Sequence, residues 1–413
     1  MGRRKTAAAV PVWIFALFLS GILGMPLAGA EFTVPRLELA TRGYTEEGDF
    51  TLSSAASVDL ALSGGYKYGI LLGLSFESDN LEKAIAYRNF TLAPPASGGN
   101  QDNYNAQVAD KANNQAVLAF RIAKATARDL FNKPLELSYF IGINDYFCSG
   151  DEFVTRFGTG QVGTGFRGFF YFPEGIGGIM SRQYNGIHGV RGTGLSLALT
   201  AWDFLVPMVY IYQDYAFAEG MEFSGTNHFS GDLRTLFNKD WLKLEGFTGL
   251  TLSRGQSPLV RGGFLALIGA EKGAELLIQL GVPGWKAGEG LNVDAFYFLV
   301  EPRIDFGLMA LNITFFYHPL RYLQIETPEE RGKADINVKL LFGDVLENKI
   351  EGGLESTLAL KADQGEDISV FLSPFIGFVS GGLRWDAKLR VNPAGYDKPH
   401  EMFEFFMGVR TAF

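Results

Sequence analysis

Cysteine is all but missing from these 413 residues: Cys148 stands alone, so no internal disulfide can form. Histidine is nearly as scarce. His188, His228, His318 and His400 are the whole supply, and no spacing typical of a metal-ligand set occurs, so neither a metal nor a cofactor is expected. Charge is sparse too: Asp, Glu, Lys and Arg make up 20%, with an acidic balance of -9. An acidic chain is a poor partner for nucleic acid, because phosphate binding needs a basic surface. After the first thirty residues no window holds the ~18 apolar residues of a membrane-crossing helix. Residence in a bilayer, if it occurs, has to come from strands.

Glycine and phenylalanine are what the chain has in quantity, 51 and 36 residues, a load that favours strands and turns over long helices. The first thirty residues read as a cleaved secretory leader. Arg3, Arg4 and Lys5 give a positive start, Val10 to Leu23 is mostly apolar, and Ala28-Gly29-Ala30 is a small-residue exit before Glu31. Losing that leader removes three cations and no acid, which deepens the charge from -9 to -12. In an exported chain the lone Cys148 reads as a buried or incidental thiol.

The remaining chain alternates with a period of two. Leu52, Ser54, Ala56, Val58, Leu60 and Leu62 oppose Ser53, Ala55, Ser57, Asp59 and Ala61; Gly64-Gly65 then turns the chain into Tyr66, Tyr68, Ile70, Leu72, Leu74 and Phe76. Similar runs fill 135–143, 334–342, 350–360 and 383–391. In the last, Leu383, Trp385, Ala387, Leu389 and Val391 oppose Arg384, Asp386, Lys388 and Arg390. One face is apolar, the other small or polar. The runs of about 9 to 14 residues match tilted transmembrane strands better than the ~5–6 residues usual in soluble sheets.

Connections alternate in length. With residue 31 starting on the inner side, the links at 42–49, 78–114, 318–332, 362–366 and 392–400 fall outside, and Gly64-Gly65, 127–134, 344–348 and Gly381-Gly382 fall inside. Between 148 and 300 candidate strands lie near 152–158, 165–172, 190–201, 205–217, 241–253, 260–270, 274–281 and 291–300, which gives an odd total overall. Single-chain bacterial barrels have even counts, so one assignment in 148–189 or in the connection 218–240 is in error. The expectation is an all-β transmembrane antiparallel barrel of about sixteen strands, within a range of 14 to 18, over residues 31–413.

The chain ends inside one such run. Phe403, Phe405, Met407, Val409, Thr411 and Phe413 share a face, and an uncovered face of that kind is an aggregation hazard unless it is paired and surrounded by lipid. The leader exit Ala28-Gly29-Ala30 and this terminal run resemble those of Gram-negative-type outer-membrane β-barrel proteins, porin-like in plan. The family's assembly signal has a glycine five residues before a terminal aromatic, matched by Gly408 and Phe413; Thr411 departs from the hydrophobic residue usual two before the end. The resemblance implies residence in the outer membrane of a diderm bacterium, contact with its lipid, handling by the outer-membrane assembly machinery, and a homotrimer as one assembly.

Charges of both signs collect on the inward face, among them Arg384, Asp386, Lys388, Arg390, Asp335, Lys339, Glu351, Glu355, Arg303 and Arg410. They favour a hydrated pore for passive diffusion of small hydrophilic solutes over a wall whose charges pair only to stay solvated. In general porins the third outer loop folds into the barrel. The counterpart here, 149–189, carries Asp151, Glu152, Arg156, Arg167, Glu174 and Arg182 among glycines and could follow the inner wall in the same way, but an additional strand pair with an ordinary loop is the preferred arrangement. Two other classes stay open: a surface adhesin acting through 78–114 and 318–332, and an outer-membrane hydrolase. For the latter, Ser196 sits in Gly194-Leu195-Ser196-Leu197-Ala198, which imitates a nucleophile elbow but lies inside an alternating run, so no enzyme is expected.

Overall fold

The computed structural model describes residues 30–46, 48–78, 80, 82–83, 116–165, 186–214, 228–253, 255, 257–269, 273–318, 333–344, 349–361, 368–396, 399 and 402–411. They form one closed antiparallel barrel of eighteen strands. In chain order these are β1 Ala30–Glu46, β2 Asp49–Gly64, β3 Tyr68–Ser78, β4 Val117–Ala127, β5 Leu135–Phe147, β6 His188–Leu199, β7 Leu205–Asp214, β8 His228–Lys239 and β9 Leu242–Ser253. The second half runs β10 Leu259–Gly269, β11 Ala274–Lys286, β12 Tyr297–Asp305, β13 Met309–His318, β14 Lys333–Asp344, β15 Ile350–Lys361, β16 Ile368–Ser380, β17 Leu383–Val391 and β18 Phe403–Thr411. Each strand pairs with its sequence neighbours, and β1 closes the ring on β18 in the register Glu38↔Arg410 to Gly43↔Phe405.

Eighteen is the top of the expected range rather than its centre, and the differences lie in the segment that would not close. Residues 152–158 are not a strand: Asp151–Phe157 is a short helix, α1, between Gly150 (φ 87) and Gly158 (φ 65), which take left-handed turns that L side chains resist. Phe153 and Phe157 pack as a tilted ring pair across one helical turn at 5.9 Å, and Arg156 hydrogen-bonds Glu152 four residues back, so a seven-residue stretch that fits a period of two is drawn to 3.6 by its own side chains. The link 218–240 contains β8, whose outward Phe229 and Leu233 alternate with inward Ser230, Asp232 and Arg234. The candidate at 291–300 starts late, at Tyr297. Of 165–172, all but residue 165 lies outside the described residues.

The two rims differ. On one, the links are 65–67, 128–134, 200–204, 240–241, 270–273, 306–308, 345–349 and 381–382; on the other they include 79–116, 148–187, 215–227, 287–296, 319–332 and 392–402. The first outer link is shorter than expected, two residues at 47–48. Gly381 and Gly382 (φ 63 and 76) make the two-residue turn whose mirror-image geometry matches strand twist. Tyr66, Phe131, Phe204, Trp241 and Phe306 ring the short-linked rim, and above them the outer wall is apolar and exposed all round, through Leu195, Ile211, Leu250, Phe298, Phe315, Phe342, Ile376 and Met407. A soluble monomer rarely exposes more than a few hundred Å² of contiguous apolar surface, so this belt with its aromatic girdle needs lipid. No described helix is long and apolar enough to cross a membrane; the strands do the crossing.

Candidate functional site

The lumen is divided by the connection after β5. Its backbone leaves Phe147 through Cys148, which holds the left-handed φ of 60 because both of its peptide groups are gripped. Cys148 N donates to Glu245 Oε1 of β9 at 2.6 Å, and Gln279 Nε2 of β11 donates to Cys148 O at 2.9 Å, while the Tyr297 hydroxyl orients Gln279 at 2.7 Å. Burial pushes the Cys148 thiol well above its ordinary pKa.

After α1 the segment 158–165 runs across the lumen to the opposite wall. Arg303 of β12 donates to the carbonyls of Gln161 and Gly163. Glu301, wholly buried, accepts from the Thr164 hydroxyl, Gly165 N (2.8 Å), the Thr314 hydroxyl (2.6 Å) and Arg303 Nε (2.7 Å). Lys339 Nζ of β14 donates to Gly165 O at 3.1 Å. The segment is thus a strap from β5 to β14, and the inward-folded arrangement, not an extra strand pair, holds for its described part.

Under the strap the wall is dry. Phe140, Phe147, Phe153, Tyr210, Phe247, Leu265, Leu277, Leu299 and Phe316 form one buried cluster inside the barrel. Charges there have at most 1% side-chain exposure on Arg234, Glu245, Arg261 and Asp232, and they are matched: Arg234 meets Asp145 and Glu245, each at 2.8 Å, and Arg261 clasps Asp232 with two nitrogens at 2.7 and 2.9 Å. Buried ions need such partners, and Arg261 is the more fully satisfied: Arg234 holds its two carboxylates as ion pairs, while Arg234 Nη1 and Nη2 and Glu245 Oε2 make no hydrogen bond.

The wall from β14 through β18 to β4 is different. Its charges also pair, yet they keep contact with water: side-chain exposure is 21% at Arg384, 14% at Lys388, 16% at Arg390, 21% at Glu404 and 36% at Arg410. The candidates read from sequence meet here. Arg384 bridges Glu351 of β15 and Asp386 (2.9 Å), and Arg410 reaches Asp386 at 3.4 Å. Lys388 pairs with Glu355 at 2.8 Å, and Lys339 lies opposite Glu355 in register. Arg390 and Arg42 share Glu404 at 3.2 and 3.0 Å. Asp335 sits one inward position along β14 from Asn337 and two from Lys339, opposite Ala359. Arg167, Glu174 and Arg182 lie outside the described residues.

At the short-linked rim a cavity of 910 Å³ opens between α1 and the β2–β4 wall, lined by Lys124, Arg128, Glu136, Glu152, Arg156 and Trp202 among others. Glu136 ties the strap helix to the wall, accepting from Arg156 at 3.0 Å and Arg128 at 3.1 Å.

Of the assembly-signal residues, Gly408 faces inward opposite Asp386 and Ala40, Thr411 ends β18 opposite Leu383, and Phe413 lies outside the described residues. Ser196 sits mid-strand between Ser138 and Tyr210, not at a strand-to-helix turn. Among the described residues no group of His, Cys, Asp and Glu could hold a metal ion. His188 is packed between Phe147 and Phe247 and bonds the Tyr212 hydroxyl at 3.1 Å; His228 bonds the Ser253 hydroxyl; His318 ends β13; His400 lies outside the described residues. Glu301, Gln279 and the inward aromatics Phe371 and Phe375 were not among the sequence candidates. Their partners lie on other strands or on the strap, and nothing local marks them.

No family model matches the chain, and no curated protein matches it either. Solved structures do. The outer membrane protein OpdK from Pseudomonas aeruginosa is similar with a TM-score of 0.49 at 10% identity, covering 94% of this chain and 99% of its own. Acinetobacter baumannii OccAB3 has a TM-score of 0.49 at 11% identity over the same shares. A triple mutant of Rhodopseudomonas blastica porin has a TM-score of 0.44 at 10% identity, covering 93% and 100%. The closed barrel is read from the chain's own strand pairing, and what it does has to be argued from its own residues.

Proposed function

We propose that this barrel resides in the outer membrane of a diderm bacterium, exported under residues 1–30 as a cleaved leader, and serves as a porin-like channel for passive diffusion of small hydrophilic solutes. The observation that carries the reading is the unequal lumen. At the heart of the strap side Arg234, Glu245, Arg261 and Asp232 are sealed from water. The β14–β4 side instead keeps Arg384, Lys388, Arg390, Glu404 and Arg410 hydrated along its length, which is what a water-filled path beside a fixed strap requires. An eighteen-stranded barrel is wide enough to hold both strap and path. The terminal run 403–413 would be read by the assembly machinery, and a homotrimer is the assembly the porin-like plan favours.

Proteoliposome swelling tests this. Vesicles carrying the purified barrel should swell quickly in an isosmotic monosaccharide and slowly in a large oligosaccharide. Swelling no faster than that of protein-free vesicles in either solute would remove the channel and favour an adhesin acting through its outer links.

A further inference from the structure

Resting on the channel reading, we propose that the cavity at the short-linked rim is a binding site for small neutral polyhydroxylated solutes, of monosaccharide or disaccharide size.

The cavity borders β2–β4, where the hydrated wall ends, and its 910 Å³ falls within the roughly 300–1,000 Å³ usual for pockets that hold a small ligand. Its wall is braced. Arg128 at the end of β4 and Arg156 on α1 both donate to Glu136, at 3.1 and 3.0 Å, and Arg156 also holds Glu152, so the helix is fastened to the strands it faces. A solute entering a braced pocket has little protein motion to arrest.

The charges that line the cavity cancel: Lys124, Arg128 and Arg156 stand against Glu136, Glu152 and Asp203. A solute with net charge therefore gains little attraction to offset the hydration it gives up. A zwitterion fares no better, because four of those six groups are already joined to one another. Hydroxyl groups, which donate and accept at once, find both kinds of partner. Lys124 Nζ and the Trp202 indole N–H are donors, the Asp203 carboxylate is an acceptor, and the side chains of Asn238 and Thr200 offer both. None of these five side chains has a hydrogen bond or ion pair among the described residues.

Rings supply the rest of the match. Trp202 is 44% exposed, and Phe157, tilted against Phe153 at 5.9 Å, lines the cavity from α1. A sugar ring is apolar on its C–H face and polar around its edge, so it fits a pocket with aromatic sides and unspent donors and acceptors between them.

Ion current through the purified barrel in a planar bilayer tests the site, with glucose and sucrose added separately. The current should fall further than the bulk conductivity of the solution does, saturate with sugar concentration, and recover on washing. Saturation with glucose alone or with both sugars supports the site and sets its size. Alanine, the zwitterionic comparison, should lower the current no further than it lowers bulk conductivity. The half-blocking concentration should rise about fivefold in Trp202→Ala, which removes a ring face, and about tenfold in Lys124→Met, which removes a charged donor. Trp241→Ala, on the same rim outside the cavity, should leave it unchanged. Current steps without sugar show that each variant has folded and inserted. Conducting channels whose current only follows bulk conductivity in both sugars, whose block ignores both cavity substitutions, or which alanine blocks at lower concentration than sugar, overturn the site and leave the channel standing. Absence of any conductance overturns the channel and the site together.

Discussion

Glu301→Ala is the most demanding perturbation of the strap. The carboxylate is fully buried and accepts four hydrogen bonds, two from the strap (Thr164 and Gly165) and two from the wall (Thr314 and Arg303). Hydrogen bonds to a charged acceptor contribute about 1.5–3 kcal/mol each, so the strap end loses about 3–6 kcal/mol of direct fastening. Arg303 loses its nearest partner as well and keeps Glu275 at 3.6 Å, which loosens its grip on Gln161 and Gly163. The start of the strap is held separately, by Phe153 in the apolar cluster, a burial of about 1.5–3 kcal/mol, and by the clamp on Cys148. The barrel ladders do not depend on Glu301. With only Val162 in the cluster and Lys339 on Gly165 O left to hold them, residues 158–165 should loosen while 148–157 stay. Single-channel conductance should rise, by up to roughly twofold if the strap covers half the lumen, and protease should cut between 158 and 165. Cys148 provides the internal control: burial suppresses its thiolate, so a maleimide should fail to label it in both wild type and variant, and should label both after denaturation. A folded variant with wild-type conductance and an uncut strap refutes the reasoning.

Other substitutions test separate parts of the account. Gly43 faces Phe405 across the closing seam, where an added Cβ would fall 2.0 Å from the ring, which also stacks on Phe50 at 6.2 Å. Gly43→Ala should expel that ring, cost about 1 kcal/mol, and lower the temperature at which the folded band disappears in semi-native electrophoresis; an unchanged temperature sinks the seam argument. Arg234→Ala leaves Glu245 buried and Asp145 half-buried without their cation and should cost about 3–5 kcal/mol, read as a shift in the urea midpoint of the barrel in detergent. A shift no larger than that of a surface substitution such as Lys286→Ala contradicts the matched-charge account of the dry wall.

Much of the architecture can be read from the chain because a barrel writes its pattern locally. Each strand has to alternate, and the Gly381-Gly382 turn announces its geometry in its residue types. Where the pattern is short it deceives: Glu152 to Gly158 alternates well enough for a strand, and only the flanking glycines and the pairings of Phe153 with Phe157 and of Glu152 with Arg156 decide for a helix. β8 is missed because it sits inside what reads as a long link. The charged candidates Arg384, Asp386, Lys388 and Arg390 stand out because polar residues interrupt an apolar run. The strap anchors do not stand out: Glu301 reaches Gly165 across 136 positions, and single-sequence patterns carry no signal over that separation. Phe371, Phe375 and Phe406 contradict the rule that the inner face is small or polar, and that breach of alternation is a local hint of the rings that lie against Arg390, Lys339 and Lys388 on this wall.

The central claim is that a water-filled path runs beside the strap along the β14–β4 wall. Purified barrel inserted into a planar bilayer tests it most directly. The account predicts steady single-channel steps in potassium chloride whose conductance rises when Glu301 is replaced by alanine. A folded barrel that inserts and stays silent contradicts it.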